Sequence, residues 1–285
     1  MGKNNGMRRA QKIKQNRKPV IRASKPKNVR ARSDLPDFNL AGLQRFKPEI
    51  LLNDTSEESI DALFLALAII FNDLKDLLWW AHQLEKSKVD RKGVSAVAGQ
   101  ISGMRNHVNR LIVGLINELL DLLKKQKNVL ESPSFTDITS KLNIETSRYL
   151  KEITTTALVS NSPKKDPEKL IKFRQALTDV RNKGAFHYKD LAAFVEGYRH
   201  HFSANNPIDR KYRDLAYFSD GKNAEETRFF YADAAIEGMV QLKTTASLGA
   251  EYQDQFKILA LKINQLLKPL LVCYLDTKKS KSLVE

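Results

Sequence analysis

Arg181-Asn182-Lys183-Gly184-Ala185-Phe186-His187-Tyr188 sets a permanent cation beside a polar amide and, six residues on from the arginine, an imidazole that titrates near neutrality. A guanidinium can stabilise charge building on phosphoryl oxygens, and an imidazole can move a proton at physiological pH. Together they are the tools of a metal-free site that cleaves RNA. In an undistorted α-helix, residues six apart stand about 120° apart around the axis and about 9 Å apart along it. Arg181 and His187 therefore converge only if the helix loosens, for which Gly184 is well placed, or if a partner chain completes the site. The competing structural reading pairs Arg181 with Asp179 or another nearby acid and leaves His187 to cap a helix end.

The elements that must position this segment read as helices. Pro163-Lys164-Lys165-Asp166-Pro167 is a start signal, with Asp166 as N-cap and Pro167 at the first helical position. Leu170, Phe173, Leu177 and Val180 then recur at helical spacing and lead into Arg181. Upstream, Thr55 and Glu58 have capping-box spacing at the start of a helix through Ile60–Glu85, apolar on most sides and with the polar interruption Asn72-Asp73. A second long helix spans 94–127, with Leu111, Leu115, Leu119 and Leu122 facing inward. Ser132-Pro133 breaks the chain before a weaker helical stretch over 135–159. Further helices are expected over 190–202, 232–248 and 251–274, and the long connection 203–224 has the character of a functional loop. No alternating pattern is long enough for a sheet. The expected class is all-α: a bundle of about six to eight helices.

Charge divides the chain differently. Of 48 lysines and arginines, twelve fall in residues 1–33, which hold no acid, so 36 face all 33 acids in the remainder. The basicity is a tail, in which Arg8, Arg9, Lys12, Lys14, Arg17 and Lys18 can neutralise nucleic-acid phosphates in a salt-dependent manner. Almost free of large apolar residues, it is expected to be disordered in isolation. The implied organisation is a basic tail (1–33), a linker (34–54), a helical domain (55–275) and a polar C-terminal tail (276–285).

The single cysteine, Cys273, excludes an intrachain disulfide or a multi-cysteine metal site and fits a reducing cytoplasm. No apolar stretch follows the basic N-terminus as a signal peptide requires, and the longest apolar run, Ala62–Phe71, is about half a membrane span. His82 and His200-His201 lack metal-ligand spacing, so neither metal nor cofactor is expected. Arg105-Asn106-His107 puts its histidine too near its arginine to repeat the 181–187 pattern, and Trp79-Trp80 reads as core or interface. Asn72 and Asp73 either support the Arg181 site from a neighbouring helix or face solvent. Arg228 and Asp233 either join it or form an ion pair of their own.

The Arg181-Asn182…His187 segment resembles the HEPN superfamily of all-helical proteins, whose nuclease members carry Arg, a polar residue that is often Asn, a short spacer and His. Ala185-Phe186-His187-Tyr188 is similar to a string found in many bacterial HEPN-like proteins, and Arg228-Phe229-Phe230-Tyr231-Ala232-Asp233 is similar to a second recurrent element of theirs. The likeness covers some twenty residues directly, and the basic tail is no part of it. It implies a homodimer whose two Arg/His segments meet in a composite site. It further implies attack by a 2′-hydroxyl on the adjacent phosphorus, with His187 moving the proton, Arg181 stabilising the phosphoryl oxygens and Asn182 orienting the phosphate or the imidazole. RNA is then the partner, in bacterial defence or toxin–antitoxin biology, with room for an antitoxin or regulatory partner. The alternative is a non-catalytic helical module for binding nucleic acid or protein, in which the tail is the binding element.

Overall fold

The computed structural model describes residues 48–51, 53–54, 56–87, 95–160, 167–185, 191–203, 216–220, 222–224, 227–248 and 252–282. The phosphate-binding candidates Arg8, Arg9, Lys12, Lys14, Arg17 and Lys18 lie outside these residues, as do Asp166 and His187. What is described is all-α. The helices are α1 (Pro48–Leu51), α2 (Ile60–Lys86), α3 (Ala96–Lys125), α4 (Lys127–Leu130), α5 (Pro133–Thr139), α6 (Ile144–Ala157), α7 (Glu168–Asp179), α8 (Leu191–His201), α9 (Phe230–Leu248) and α10 (Tyr252–Ser282). A π-helical turn, Val180–Ala185, continues α7. The only strand-like feature among the described residues is an isolated antiparallel bridge between Ser219 and Arg228.

Three long helices, α2, α3 and α10, carry most of the core. Leu63, Phe64, Leu67 and Leu74 of α2 meet Ile116, Leu119 and Leu120 of α3 and Ile263, Leu266, Leu267 and Leu270 of α10, all nearly or fully buried. The inward face of α3 is rotated from the expected leucine stripe: Leu119 is buried, whereas Leu111, Leu115 and Leu122 are only half-buried beside Ile112, Val113, Ile116 and Leu123. A stripe drawn through leucines alone misses the β-branched residues that fill the seam.

The cap of α2 also differs from expectation. Ser59 is the N-cap, accepting from the Ala62 amide at 3.1 Å, while Thr55 of the expected capping box lies outside the described residues. At the far end α10 runs on to Ser282, into the stretch expected to be a polar tail. Lys278 is buried there and pairs with buried Asp61 at 2.6 Å. The Tyr274 hydroxyl donates to Asp61 (3.0 Å), and the Tyr274 ring stacks on Phe64 at 4.2 Å, so the two helices are clamped together. Over Asp254–Lys279, α10 is long and apolar enough to cross a membrane by length and composition. Part of that apolar surface packs into the bundle core through Phe256, Leu259, Ala260, Ile263, Leu266, Leu267 and Leu270, while Ile258, Leu261 and Val272 are exposed.

Helices α8 and α9 pack closely because glycine faces glycine. A Cβ on Gly197 would strike the Ala235 carbonyl, and one on Gly238 would strike the Gly197 carbonyl. Trp79 and Trp80 touch edge-on at 5.0 Å, but neither is a core residue, and Trp80 is 52% exposed.

Candidate active site

The segment that carries Arg181 is built by α7 and its π-helical extension. Ala176, Leu177 and Val180 are buried against the bundle and fix the rotation of α7 about its own axis. At Val180 the backbone widens into the π turn, so the helix does loosen at the place where Arg181 and Asn182 stand. Such π turns are rare and recur at functional sites, because they re-aim side chains that regular helical spacing would direct elsewhere.

Arg181 is half-buried, and its guanidinium direction is fixed from two sides. Nε donates to Oε1 of Glu118 on α3 at 2.8 Å, and Nη2 lies 2.5 Å from the same oxygen. Nη1 donates to Oδ1 of Asn182 at 2.8 Å. Of the five N–H groups of a guanidinium, three are used in these bonds, which leaves two. An arginine held in one direction with donors to spare is the arrangement that phosphoryl-charge stabilisation asks for. The acid that pairs with Arg181 is thus Glu118, from another helix. Asp179 instead accepts from Gln175 at 3.2 Å, within its own helix.

Beneath this pair lies a polar zipper between α7 and α3. Arg174, buried, donates from Nη2 to Asp121 Oδ1 (2.7 Å) and from Nη1 to Asn117 Oδ1 (3.3 Å). Asn117, 1% exposed, donates to Asp121 Oδ2 at 2.9 Å and also accepts from the Thr178 hydroxyl at 3.3 Å. Arg174, Thr178 and Arg181 stand at i, i+4 and i+7, and Asn117, Glu118 and Asp121 form the matching face of α3. Sequence reasoning missed Asn117, Glu118, Asp121, Arg174 and Thr178 as positioning residues. One signal was present: Asn117 directly follows the apolar stretch Leu111–Ile116 and precedes Leu119-Leu120, and a polar side chain on that face must find a partner.

The other candidates are not joined to Arg181 by any described bond. Asn72 and Asp73 are exposed on α2. Arg228 and Asp233 form a two-bond ion pair with each other, Nε to Oδ2 at 2.8 Å and Nη2 to Oδ1 at 3.1 Å. Arg228 Nη1 also donates to Gln100 on α3 at 3.2 Å, and the pair packs against Gly103, where any Cβ would collide with it. It therefore anchors the start of α9 to α3. His107, on α3, is held below its ordinary value first by burial and then by the charges of Arg110 and Arg228, while Asp233 works the other way. Among the described residues no cluster of His, Cys, Asp or Glu could hold a metal ion. Cys273 is half-buried against the core, and burial raises its thiol pKa. Comparison with protein-family models, with curated proteins and with solved structures finds no match to this chain.

Proposed function

We propose that this chain is a metal-independent endoribonuclease of the HEPN type, acting in the cytoplasm as a homodimer with its Arg/His segments at the shared interface. The observation that carries the reading is Arg181 at the head of a π-helical turn, its guanidinium oriented by Glu118 and Asn182 with N–H groups left over. In this reading Arg181 binds the phosphoryl oxygens at the scissile bond, and the preset orientation lowers the cost of stabilising the developing charge. Asn182 holds the guanidinium edge toward the phosphate. His187 takes the proton from the 2′-hydroxyl that attacks phosphorus, and the bond to the 5′-oxygen breaks as that oxygen takes a proton from water, leaving a cyclic phosphate and a 5′-hydroxyl. The basic residues of 1–33 recruit RNA through its backbone, in a defence or toxin–antitoxin setting.

The Glu118 pair favours a second reading, since the same bond gives Arg181 a structural task. The chain is then a non-catalytic helical binding module whose basic tail engages nucleic acid or protein.

Incubation with total RNA in EDTA separates the two. Wild type should cleave and leave cyclic phosphate ends, while Arg181→Ala and His187→Ala should each lose about 100-fold or more of the rate. Equal cleavage by all three proteins, or none by wild type, rejects the nuclease. Salt-sensitive RNA binding that survives deletion of residues 1–33 rejects the role given to the tail.

A further inference from the structure

A cavity of about 330 Å³ opens between α2, α3, α9 and α10. A second, of about 460 Å³, lies beside it against α3, α8, α9 and the aromatic residues Tyr217 and Phe218. Asn106 of α3 and Glu237 of α9 line both.

Three groups on these walls have unused hydrogen-bonding capacity. Glu237 is half-buried and makes no hydrogen bond or ion pair among the described residues, and its pKa is raised by burial first and by the negative charge of Asp233 second. The Asn106 amide likewise makes no side-chain hydrogen bond. Arg105 donates Nη2 to the Leu84 carbonyl at 3.2 Å, yet its Nε–H is buried without an acceptor. Of the other three carboxylates of the cavities, Asp233 is matched by Arg228 and Glu85 by Lys257 at 3.5 Å, while Asp254 is exposed to solvent. Buried polar groups left unpaired cost stability, about 1–3 kcal/mol each, and mark places where a ligand can supply the missing bonds.

The ligand must offer N–H donors to the carboxylate and acceptors to the arginine and the amide. It also needs an apolar body to lie against Ile236, Val240 and Phe256. Among the nucleobases, guanine has this pattern: two adjacent N–H donors, N1 and N2, on one edge, and the acceptors O6 and N7 on the other. Cytosine and adenine each carry one amino donor beside acceptors, and uracil one N–H between two carbonyls. Reading an unstacked base by its edge while packing its faces is how proteins commonly hold single nucleotides. We infer that this cavity binds a guanine base, with Glu237 accepting from its N–H edge and Arg105 and Asn106 donating to its acceptor edge. Val180, the residue before Arg181, forms part of the wall, so the pocket adjoins the proposed RNA-cleaving segment without requiring it to act.

The full-length protein is titrated calorimetrically with GMP, AMP, CMP and UMP, and with two single-stranded RNAs that differ only in one central G or A. Guanine should be preferred at least tenfold. If GMP shows the preference, the source is free nucleotide; if only the G-containing RNA shows it, the source is a base in RNA, and both outcomes support the pocket. Glu237→Gln should abolish the preference, as should Asn106→Leu, with thermal melting used to establish that each variant is folded. Equal binding of all ligands, no binding of any, or a preference that survives both substitutions overturns the inference. GMP binding without RNA cleavage sinks the nuclease reading alone, whereas cleavage without guanine preference sinks the pocket alone.

Discussion

Arg181 and Glu118 meet through a single carboxylate oxygen, which accepts from Nε at 2.8 Å and faces Nη2 at 2.5 Å. The bond joins a π-helical turn to the middle of a long α-helix, so the arginine's direction is set by α3 and not by its own backbone alone. With the two side chains 36% and 52% exposed, the pair contributes little to global stability, about 1 kcal/mol or less. Its consequence lies in orientation.

Glu118→Ala should therefore melt within a few degrees of wild type while RNA cleavage falls about 10- to 100-fold through misplacement of the guanidinium. Rates under saturating RNA, set beside thermal melts, check this. Unchanged cleavage would remove Glu118 from any functional role.

The zipper beneath has the opposite character. Arg174 is buried while Asp121 is 54% exposed, and Asp121→Ala leaves the guanidinium without its carboxylate, at a cost of about 1–3 kcal/mol. Arg174→Met with Asp121→Leu should recover only part of that loss, because no guanidinium is left orphaned but the buried Asn117 amide loses its Asp121 acceptor. Denaturant melts of the single and double variants measure the coupling, and additivity would contradict it.

Asp61 gives the fold an acid-sensitive clamp. Burial by itself would raise its carboxyl pKa, but bonds from Lys278, the Asn53 amide and the Tyr274 hydroxyl, with the Lys278 charge, hold it below the ordinary 3.8. Because the folded value is the lower one, this stabilisation is complete above pH 3.8 and is lost as the pH falls through the folded value. Asp61→Asn should cost about 3 kcal/mol at pH 7 by leaving Lys278 buried and unpaired, and should flatten the acid limb of the stability profile below about pH 4. An acid limb as steep as that of wild type would show that other carboxylates govern it.

The α8–α9 crossing tolerates no side chain. Gly197→Ala should destabilise by about 2 kcal/mol or more, because the new methyl meets backbone that cannot swing aside. A wild-type melting temperature for this variant would mean that the two helices can separate at little cost.

Helix identity and order were legible in the residues. Apolar spacing and the breaks at Ser132-Pro133 and Pro167 are local signals, and they gave the order of the main helices, although the stretch expected over 135–159 is two helices, α5 and α6. The end of α10 was not legible, because Lys278 reads as solvent-exposed until Asp61, more than two hundred residues earlier, is brought against it. In the same way Asp121 and Arg174 read as solvent-facing charges in one dimension, although Arg174 is buried at a helix seam. Arg181 and Asn182 were picked out by residue type alone, while the carboxylate that aims Arg181 and the π turn that carries it emerged only from packing. Composition and periodicity report what each residue prefers within a turn or two of its own helix. Which charges meet, and which remain unpaired around Glu237, depends on how separate helices rotate against one another, and that is decided by the shape of the shared core.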